Sequence, residues 1–462
     1  MLSKPLICFY GDDFTGSTDA LAQFHRFGLR GRLFFRLPTE PNVRAAAREL
    51  DVVGVAGISR SLPAERMDPE VRPALEWFAE LGSPLVQYKI CSTFDSSPTR
   101  GSFGRAIAIG RDIFGARPVP ILAAQPEFGR YTVFGNHFAR AGAVFRLDRH
   151  PTMSRHPSTP MREADLRAHL AQQTDLPIEL MDIVTLSAPS RRTLHTFRQL
   201  VGTNPGAIVI DALENRHLTR AAELIWPGET APPVFALGSG GLSYGVGDYL
   251  HRTEQSSELR SSSIAPVDRV LVVSGSCAPQ TAAQIRHAVS RGWRALRLPV
   301  GQLINPLSRQ ATAEDAQAQA LSALVAGHSL IVYTALGPDD ASLGETRTLM
   351  EKYELTSEGF AKIVGHAFGR LMQRAVEDAG VRRLLVAGGD TSGYTMHGLD
   401  AYAIEIESNF VVAGALCRLC STNPNVEGVQ IMLKGGQVGG EDLFEAVRMG
   451  GVARQPGEGR TR

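Results

Sequence analysis

Two aspartates stand side by side in a glycine-flanked turn near the start of the chain: Tyr10-Gly11-Asp12-Asp13-Phe14-Thr15-Gly16-Ser17-Thr18-Asp19. The apolar run 6–10 before them reads as a strand and the residues after them as a helix. The pair therefore falls where open α/β sheets bind ligands, at the carboxyl end of a strand. Neighbouring carboxylates are costly to bury and call for a cation, a hydroxyl or backbone donors. A helix N-cap would account for one of them; Asp-Asp between two glycines exceeds that need. A second cluster, Lys89-Ile90-Cys91-Ser92-Thr93-Phe94-Asp95-Ser96-Ser97, again ends a strand. An ammonium followed by a thiol and hydroxyls suits a carboxylate or a polyol; an ordinary Ser-rich turn is the plainer alternative. Ser59-Arg60 closes a third run, where arginine can grip a carboxylate bidentately or simply be solvated.

The C-terminal half carries three small, glycine-rich strand ends: Ser274-Gly275-Ser276-Cys277, Gly388-Gly389-Asp390-Thr391-Ser392-Gly393 and Lys434-Gly435-Gly436-Gln437-Val438-Gly439-Gly440. Each alone is weak, because glycine at a strand-to-helix turn is common for conformational reasons. Together they suit a phosphate cradle built from backbone N–H groups and a helix N-terminus. No GxxxxGK[ST] is present, which excludes a P-loop enzyme, and no full GxGxxG with a downstream acid supports a dinucleotide dehydrogenase. Gly241-Leu242-Ser243-Tyr244-Gly245 matches GxSxG, but GSGG separates it from the strand, so a glycine-rich helix start is expected rather than a nucleophile elbow.

The elements that must position these groups alternate. Strands are expected at 6–10, 52–55, 85–89, 119–123, 183–186, 207–210 and 234–237, then at 270–273, 329–333, 383–387 and 429–433. Helical patterns such as 280–291 and 358–379 lie between them. Continuous apolar runs suit central strands of parallel sheets covered on both faces. The expectation is two α/β layered domains with largely parallel sheets around an interdomain cleft. The polar, Ser-rich stretch 251–267 reads as a linker, dividing an N-terminal domain, 1–250, from a C-terminal one, 268–450, with a disordered tail at 451–462. The basic, proline-rich segment 146–167 could supply cations to an anionic ligand or form an ordered crossover loop. Cys417 and Cys420 form a lone CxxC with no second pair, and two small residues on one helix face are expected there rather than a metal site.

The 462 residues carry a net charge of +1, which argues against a nucleic-acid binder relying on a global positive field. Five sparse cysteines suggest a reducing compartment, and no apolar run suggests a signal peptide or a membrane span, so a cytoplasmic protein with no membrane partner is expected. Only five of the 48 basic residues are lysines, and two of those five, Lys89 and Lys434, stand inside the strand-end motifs.

In this order, GDDFTGSTDA, KICSTFDSSP, SRHPSTPM, GSGGL, VSGSCAPQTAAQI, GGDTSG and LKGGQVGGEDLF resemble the four-carbon acid sugar kinase family, over about residues 5–445. The resemblance implies a sugar-acid-binding N-terminal domain and an ATP-binding C-terminal one. It further implies Mg²⁺-assisted phosphorylation of the terminal hydroxyl of a tetronate, a 3-oxo-tetronate or a branched 3-oxo acid such as 3-oxo-isoapionate. It places Asp12, Asp13, Arg60, Lys89, Cys91, Ser92 and Thr93 at the acid, with Arg60 and Lys89 on its carboxylate. It places Ser274, Gly388, Gly389, Asp390, Thr391, Gly435 and Gly436 at ATP, leaves Asp13 or Asp390 to orient or deprotonate the hydroxyl, and is compatible with a homodimer. CSTFDS looks like the 3-oxo-tetronate branch, whereas LKGGQVGG and RHPTMSRHP depart from it and leave a branched acid open. A non-catalytic sensor of sugar acid or nucleotide would share the pockets without the chemistry. A dehydrogenase of the same acids would need the fingerprint that is missing.

Overall fold

The computed structural model describes residues 4–156, 159–227, 231–256, 263–411 and 414–452. Its contacts divide the chain into two compact units, Met1–Leu259 and Arg260–Arg462.

The first unit is built on eight parallel strands. In chain order its strands are β1 (Ile7–Gly11), β2 (Gly31–Phe34), β3 (Val52–Ala56), β4 (Leu85–Lys89), β5 (Val119–Leu122), β6 (Arg130–Val133), β7 (Asn136–Ala141), β8 (Ala143–Arg146), β9 (Ile178–Met181), β10 (Ala207–Ile210) and β11 (Val234–Gly238). The main sheet runs β2-β3-β1-β4-β11-β5-β10-β9, and β6, β7 and β8 form a separate antiparallel sheet. β1, β3 and β4 are buried along their whole length, as strands covered on both faces must be. The helix Phe14–Arg26 buries Phe14, Leu21 and Phe24, and the helix Met67–Leu81 buries Val71, Leu75 and Phe78. After β1 the chain builds β2 and β3 on one side, then crosses to β4 on the other. The reversal falls between β1 and β4, whose carboxyl ends carry Asp12 and Lys89, the place where open α/β sheets bind ligands.

The second unit repeats that order. Its strands are β12 (Ser263–Ile264), β13 (Leu271–Ser274), β14 (Arg294–Arg297), β15 (Leu330–Tyr333), β16 (Arg383–Ala387), β17 (Ala403–Val411), β18 (Gly414–Cys420), β19 (Gln430–Lys434) and β20 (Gly451–Val452). They lie as β14-β15-β13-β16-β19-β18-β17, with β12 and β20 a small antiparallel pair. β13 to β16 and β19 are parallel, whereas β17 and β18 form an antiparallel hairpin that joins β19. The first strand again sits between the third and the fourth, so this reversal falls between β13 and β16. Val270, Val272, Ile285, Leu385, Met432 and Phe444 form the core beneath it.

Three expectations change. Residues 183–186 form a short helix, not a strand: Asp182 caps it, accepting from Thr185 N at 2.9 Å and Thr185 Oγ1 at 2.7 Å, and the strand is β9 just before it. Cys417 and Cys420 lie on β18 rather than a helix, and three residues along a strand face opposite ways. Both are buried, and no cluster of metal-ligating side chains occurs among the described residues. Segment 146–167 contains the single turns Leu147–Arg149 and Met153–Arg155. Of the expected linker and tail, 257–262 and 453–462 lie outside the described residues, the helix Gly240–Arg252 runs into the linker's start, and β12 in the linker pairs with β20 at the start of the tail. Among the described residues no helix is long and apolar enough to cross a membrane.

Arg383 opens β16 almost completely buried. It donates to Gln430 Oε1 at 2.7 Å, the Val447 carbonyl at 2.7 Å and the Ala265 carbonyl at 2.8 Å, tying the segment before β13 and the last helix to the sheet. Arg383→Leu strands three acceptors, each worth about 1–3 kcal/mol when left buried and unpaired. The expected result is a loss of about 3 kcal/mol or more for the second unit, read as an earlier unfolding midpoint in denaturant.

Candidate functional site

The end of β1 is stitched to both neighbours: Asp12 N donates to the Lys89 carbonyl at 3.0 Å, Gly57 N to the Gly11 carbonyl at 2.8 Å, and Arg60 N to the Asp12 carbonyl at 3.1 Å. These bonds place Arg60, on the short turn Ser59–Ser61, directly against the aspartate pair. Its guanidinium meets Asp12 through Nη2 at 2.7 Å and Nε at 3.2 Å, and Asp13 through Nη2 at 2.9 Å and Nη1 at 3.0 Å. Asp13 also caps the following helix, accepting from Gly16 N at 2.9 Å. The side chains differ in access: Asp12 is fully buried, while Arg60 and Asp13 keep 25% and 29% of theirs. Burial pushes the Asp12 carboxyl upward and the Arg60 charge opposes that rise. Burial also works against the Arg60 charge, and the two carboxylates outweigh it and hold the guanidinium firmly protonated.

Lys89 is buried too and donates to the Ile90 carbonyl at 3.0 Å. A Cβ on Gly16 would lie 2.4 Å from Asp13 Oδ1 and 2.8 Å from Lys89 Nζ, so aspartate and lysine converge over a position that only glycine leaves open. Beyond Lys89, Cys91 Sγ meets Thr93 Oγ1 at 2.9 Å. Burial, reinforced by Asp95, pushes the Cys91 thiol up to about 11, so it serves as a neutral hydrogen-bonding group and not as a nucleophile. Phe94 holds this loop in a left-handed backbone, φ 58°, packed edge-on to Phe103 and His169. Such a backbone costs a bulky residue about 1–3 kcal/mol and persists only where packing imposes it.

The structure adds residues that sequence reasoning missed. The small β6–β8 sheet docks on the loop after β4, with His137 Nε2 on the Ser92 carbonyl at 2.8 Å and Nδ1 on Thr132 Oγ1 at 2.9 Å. Burial lowers His137 to about 4 and keeps it neutral. Burial works against the charge of Arg130, at the start of β6, and the Asp95 carboxylate supports it. Arg130 Nε and Asp95 Oδ1 are buried without a hydrogen-bond partner, an uncommon state for a donor and an acceptor. Asp95 stands inside the Lys89–Ser97 motif but is assigned no role by it, and Arg130 offers only its lone position after β5.

In the second unit the three strand ends meet. Gly275 N donates to the Ala387 carbonyl and Gly388 N to the Lys434 carbonyl, both at 3.0 Å. Ser274 is buried and accepts from Ser276 N at 3.4 Å. Gly388 has φ 137°, a backbone that disfavours any side chain, and Gly389 is exposed with open space around it. A Cβ on Gly436 would lie 2.6 Å from Ser276 Oγ; Gly435 precedes it, half-buried. Thr391 Oγ1 is buried without a partner, 2.7 Å from where a Gly275 Cβ would stand. Asp390 opens the helix Asp390–His397, and its side chain lies outside the described residues. Open glycine backbone and an unmatched hydroxyl at converging strand ends fit a polyphosphate.

The structure thus gathers Asp12, Asp13, Arg60 and Lys89 in the first unit, with Cys91, Ser92 and Thr93 on the loop beside them. It gathers Ser274, Gly388, Gly389, Thr391, Gly435 and Gly436 in the second. The Arg60 guanidinium is engaged by both aspartates through four of its five N–H donors, which leaves one at Nη1 for a further partner.

Residues 7–246 match a family model described as a sugar-binding N-terminal domain, and residues 271–444 one described as a nucleotide-binding C-terminal domain. The chain is 39% identical to a 3-oxo-isoapionate kinase of Paraburkholderia graminis, over 97% of this chain and 95% of that one. It is 28% identical to a 3-oxo-tetronate kinase of Pseudomonas fluorescens, over 96% of each. It is 25% identical to a D-threonate kinase of Salmonella typhimurium, over 94% of this chain and 95% of that one. A solved Haemophilus influenzae structure shares the fold, with a TM-score of 0.72 at 22% identity over 96% of this chain and 99% of that one.

Removing the guanidinium leaves two carboxylates facing each other, each raising the other's pKa above its unfolded value. A raised carboxyl favours the native state at low pH, and that advantage is lost as pH rises through the folded pKa. Arg60→Met is therefore expected to unfold closer to the wild type at pH 5 and well below it at pH 7.5, in paired thermal or denaturant melts. Equal losses at both pH values would contradict the clamp.

Proposed function

The chain belongs to the four-carbon acid sugar kinase family, and from that membership we propose that it transfers the γ-phosphoryl group of ATP to the terminal hydroxyl of a branched 3-oxo acid. The observation that carries the reading is the contrast between the two strand-reversal points. One bears a rigid cluster of two acids and two cations suited to a hydroxylated anion, and the other an open glycine cradle suited to phosphates. The choice of acid is supported by the 39% identity to the 3-oxo-isoapionate kinase against 28% to the 3-oxo-tetronate kinase. Relatives named as kinases over nearly the whole chain leave the sensor and dehydrogenase readings without support.

Phosphoryl transfer depends mainly on positioning and charge neutralisation. Arg60 fixes Asp12 and Asp13 as a rigid acceptor platform. Asp13, the accessible one of the pair, orients the attacking hydroxyl; Asp390, at the nucleotide-side turn, is the alternative base. Lys89 and the open edge of Arg60 face the acid's carboxylate, while Cys91, Ser92 and Thr93 offer neutral hydrogen bonds to its hydroxyls. The unpaired Arg130 Nε and Asp95 Oδ1 extend the polar lining toward a carbonyl and a hydroxyl. In the second unit, Ser274, Gly388, Gly389, Thr391, Gly435 and Gly436 hold the phosphates through main-chain amides and hydroxyls. Mg²⁺ bound with the nucleotide would supply charge neutralisation at the phosphates; among the described residues no group of three or more His, Cys, Asp or Glu side chains could hold a metal ion separately.

The test is ADP release with Mg²⁺ and a panel of threonate, erythronate, their 3-oxo forms and 3-oxo-isoapionate. Turnover is expected to favour the branched 3-oxo acid and to yield a phosphomonoester on its terminal carbon by ³¹P NMR. Absence of acid-dependent ADP release across the panel would contradict the reading.

A further inference from the structure

Lys434, the last residue of β19, is fully buried. Of the three donors an ammonium carries, one is matched: Nζ donates to Thr281 Oγ1 at 3.0 Å, and Thr281 Oγ1 donates in turn to the Gly436 carbonyl at 2.7 Å. Thr281 belongs to the first turn of the helix Pro279–Ser290, whose N-cap, Ala278, offers no side-chain acceptor. The free N–H groups and partial positive charge of that helix end therefore lie on the same side as the ammonium.

The groups around Lys434 are uncharged. The helix contributes Thr281, with Gln284 one turn on, whose amide donates to the carbonyls of Val438, Gly439 and Gly440 at 2.9–3.2 Å. The turn after β13 contributes Ser276 against Gly436. β16 contributes Gly388 N on the Lys434 carbonyl at 3.0 Å, and β18 opposes β19 with Leu416, Cys417 and Arg418, of which only Arg418 is charged and it is exposed. No charged group among the described residues moves the ionisation of Lys434; burial alone lowers it to about 8. A buried cation beside a positive helix end, with no counter-charge among the described side chains, is a costly arrangement that an anion would relieve. A second, independent sign of a missing ligand stands on the same floor: the buried, unpartnered Thr391 Oγ1, at 5% exposure, beside Gly275 and Gly388.

We infer that Lys434 is a positioning residue of the nucleotide site, a buried cation that stabilises bound phosphate through Thr281 and the Gly435-Gly436 turn and takes up a proton from solvent as the phosphates arrive. The inference rests on the nucleotide-binding role proposed for this unit. The proton balance is one amine plus one solvent proton giving one ammonium. Nucleotide affinity consequently falls as pH rises through about 8 and levels off below it.

The test is calorimetric titration of the full chain with MgADP and with pyrophosphate at pH 8.5, in two buffers of different ionisation heat. The wild type is expected to take up roughly half a proton or more per ligand. Lys434→Met is expected to lose that uptake and to bind about 10-fold or more weakly. Lys434→Arg, always charged, should bind without uptake and recover most of the affinity. The arginine variant and the wild-type uptake decide the matter even where the methionine variant does not fold. Tight binding without proton uptake by the wild type, or uptake unchanged in either variant, overturns the role of Lys434 and leaves the kinase reading standing. No binding of either ligand by the wild type overturns the nucleotide reading, and Lys434 with it.

Discussion

Two carboxylates on consecutive residues cannot share a buried strand end unless a cation stands between them. Arg60 meets that constraint with four contacts of 2.7–3.2 Å to Asp12 and Asp13. Much of the first unit's local geometry follows from it. The turn carrying Arg60 is pinned to the end of β1 by main-chain bonds, Asp13 is committed to capping the next helix, and Gly16 is bare because Asp13 and Lys89 close over it. Desolvating an ion pair costs nearly as much as the pairing returns, so rigidity, rather than stability, is what this network contributes. A fixed acceptor oxygen is what an attacking hydroxyl requires.

The second unit uses the same strand order with the opposite electrostatic economy. Its strand ends carry a buried ammonium, a helix N-terminus and an unmatched hydroxyl, with no carboxylate to balance them among the described side chains. The first site is close to neutral and specific in its hydrogen bonds, as suits a small hydroxylated acid with one charge. The second is left with surplus positive potential and open backbone, as suits a polyphosphate. One strand order, used twice, thus carries two different charge patterns at its reversal points.

Much of this was legible in the sequence. Continuous apolar runs marked most of the parallel strands, because a strand buried on both faces has no polar side to confuse it. β14 was missed because it is an edge strand with both its arginines exposed, and β17 because glutamates alternate with its isoleucines and break the apolar run. Residues 183–186 misled because a β-branched apolar run also fits one capped helical turn. Asp12, Asp13 and Lys89 stood out through type and spacing. That Arg60 would be spent on the aspartates did not, since a pairing 47–48 residues apart depends on which strands become neighbours. Arg130 and His137 were hidden for the same reason: they are brought to the loop that carries Asp95 by a small antiparallel sheet folding back on it.

The central claim is that each reversal point binds its own ligand. Its most direct test is the affinity of Asp13→Asn and Gly388→Ala for the 3-oxo acid and for MgADP, measured separately by calorimetry. Loss of a charged hydrogen bond is worth about 1.5–3 kcal/mol, roughly 10-fold or more in affinity. The account predicts a crossed pattern: Asp13→Asn loses the acid and keeps MgADP, and Gly388→Ala loses MgADP and keeps the acid. Either variant losing both ligands in a folded protein, or the reverse pattern, would contradict it.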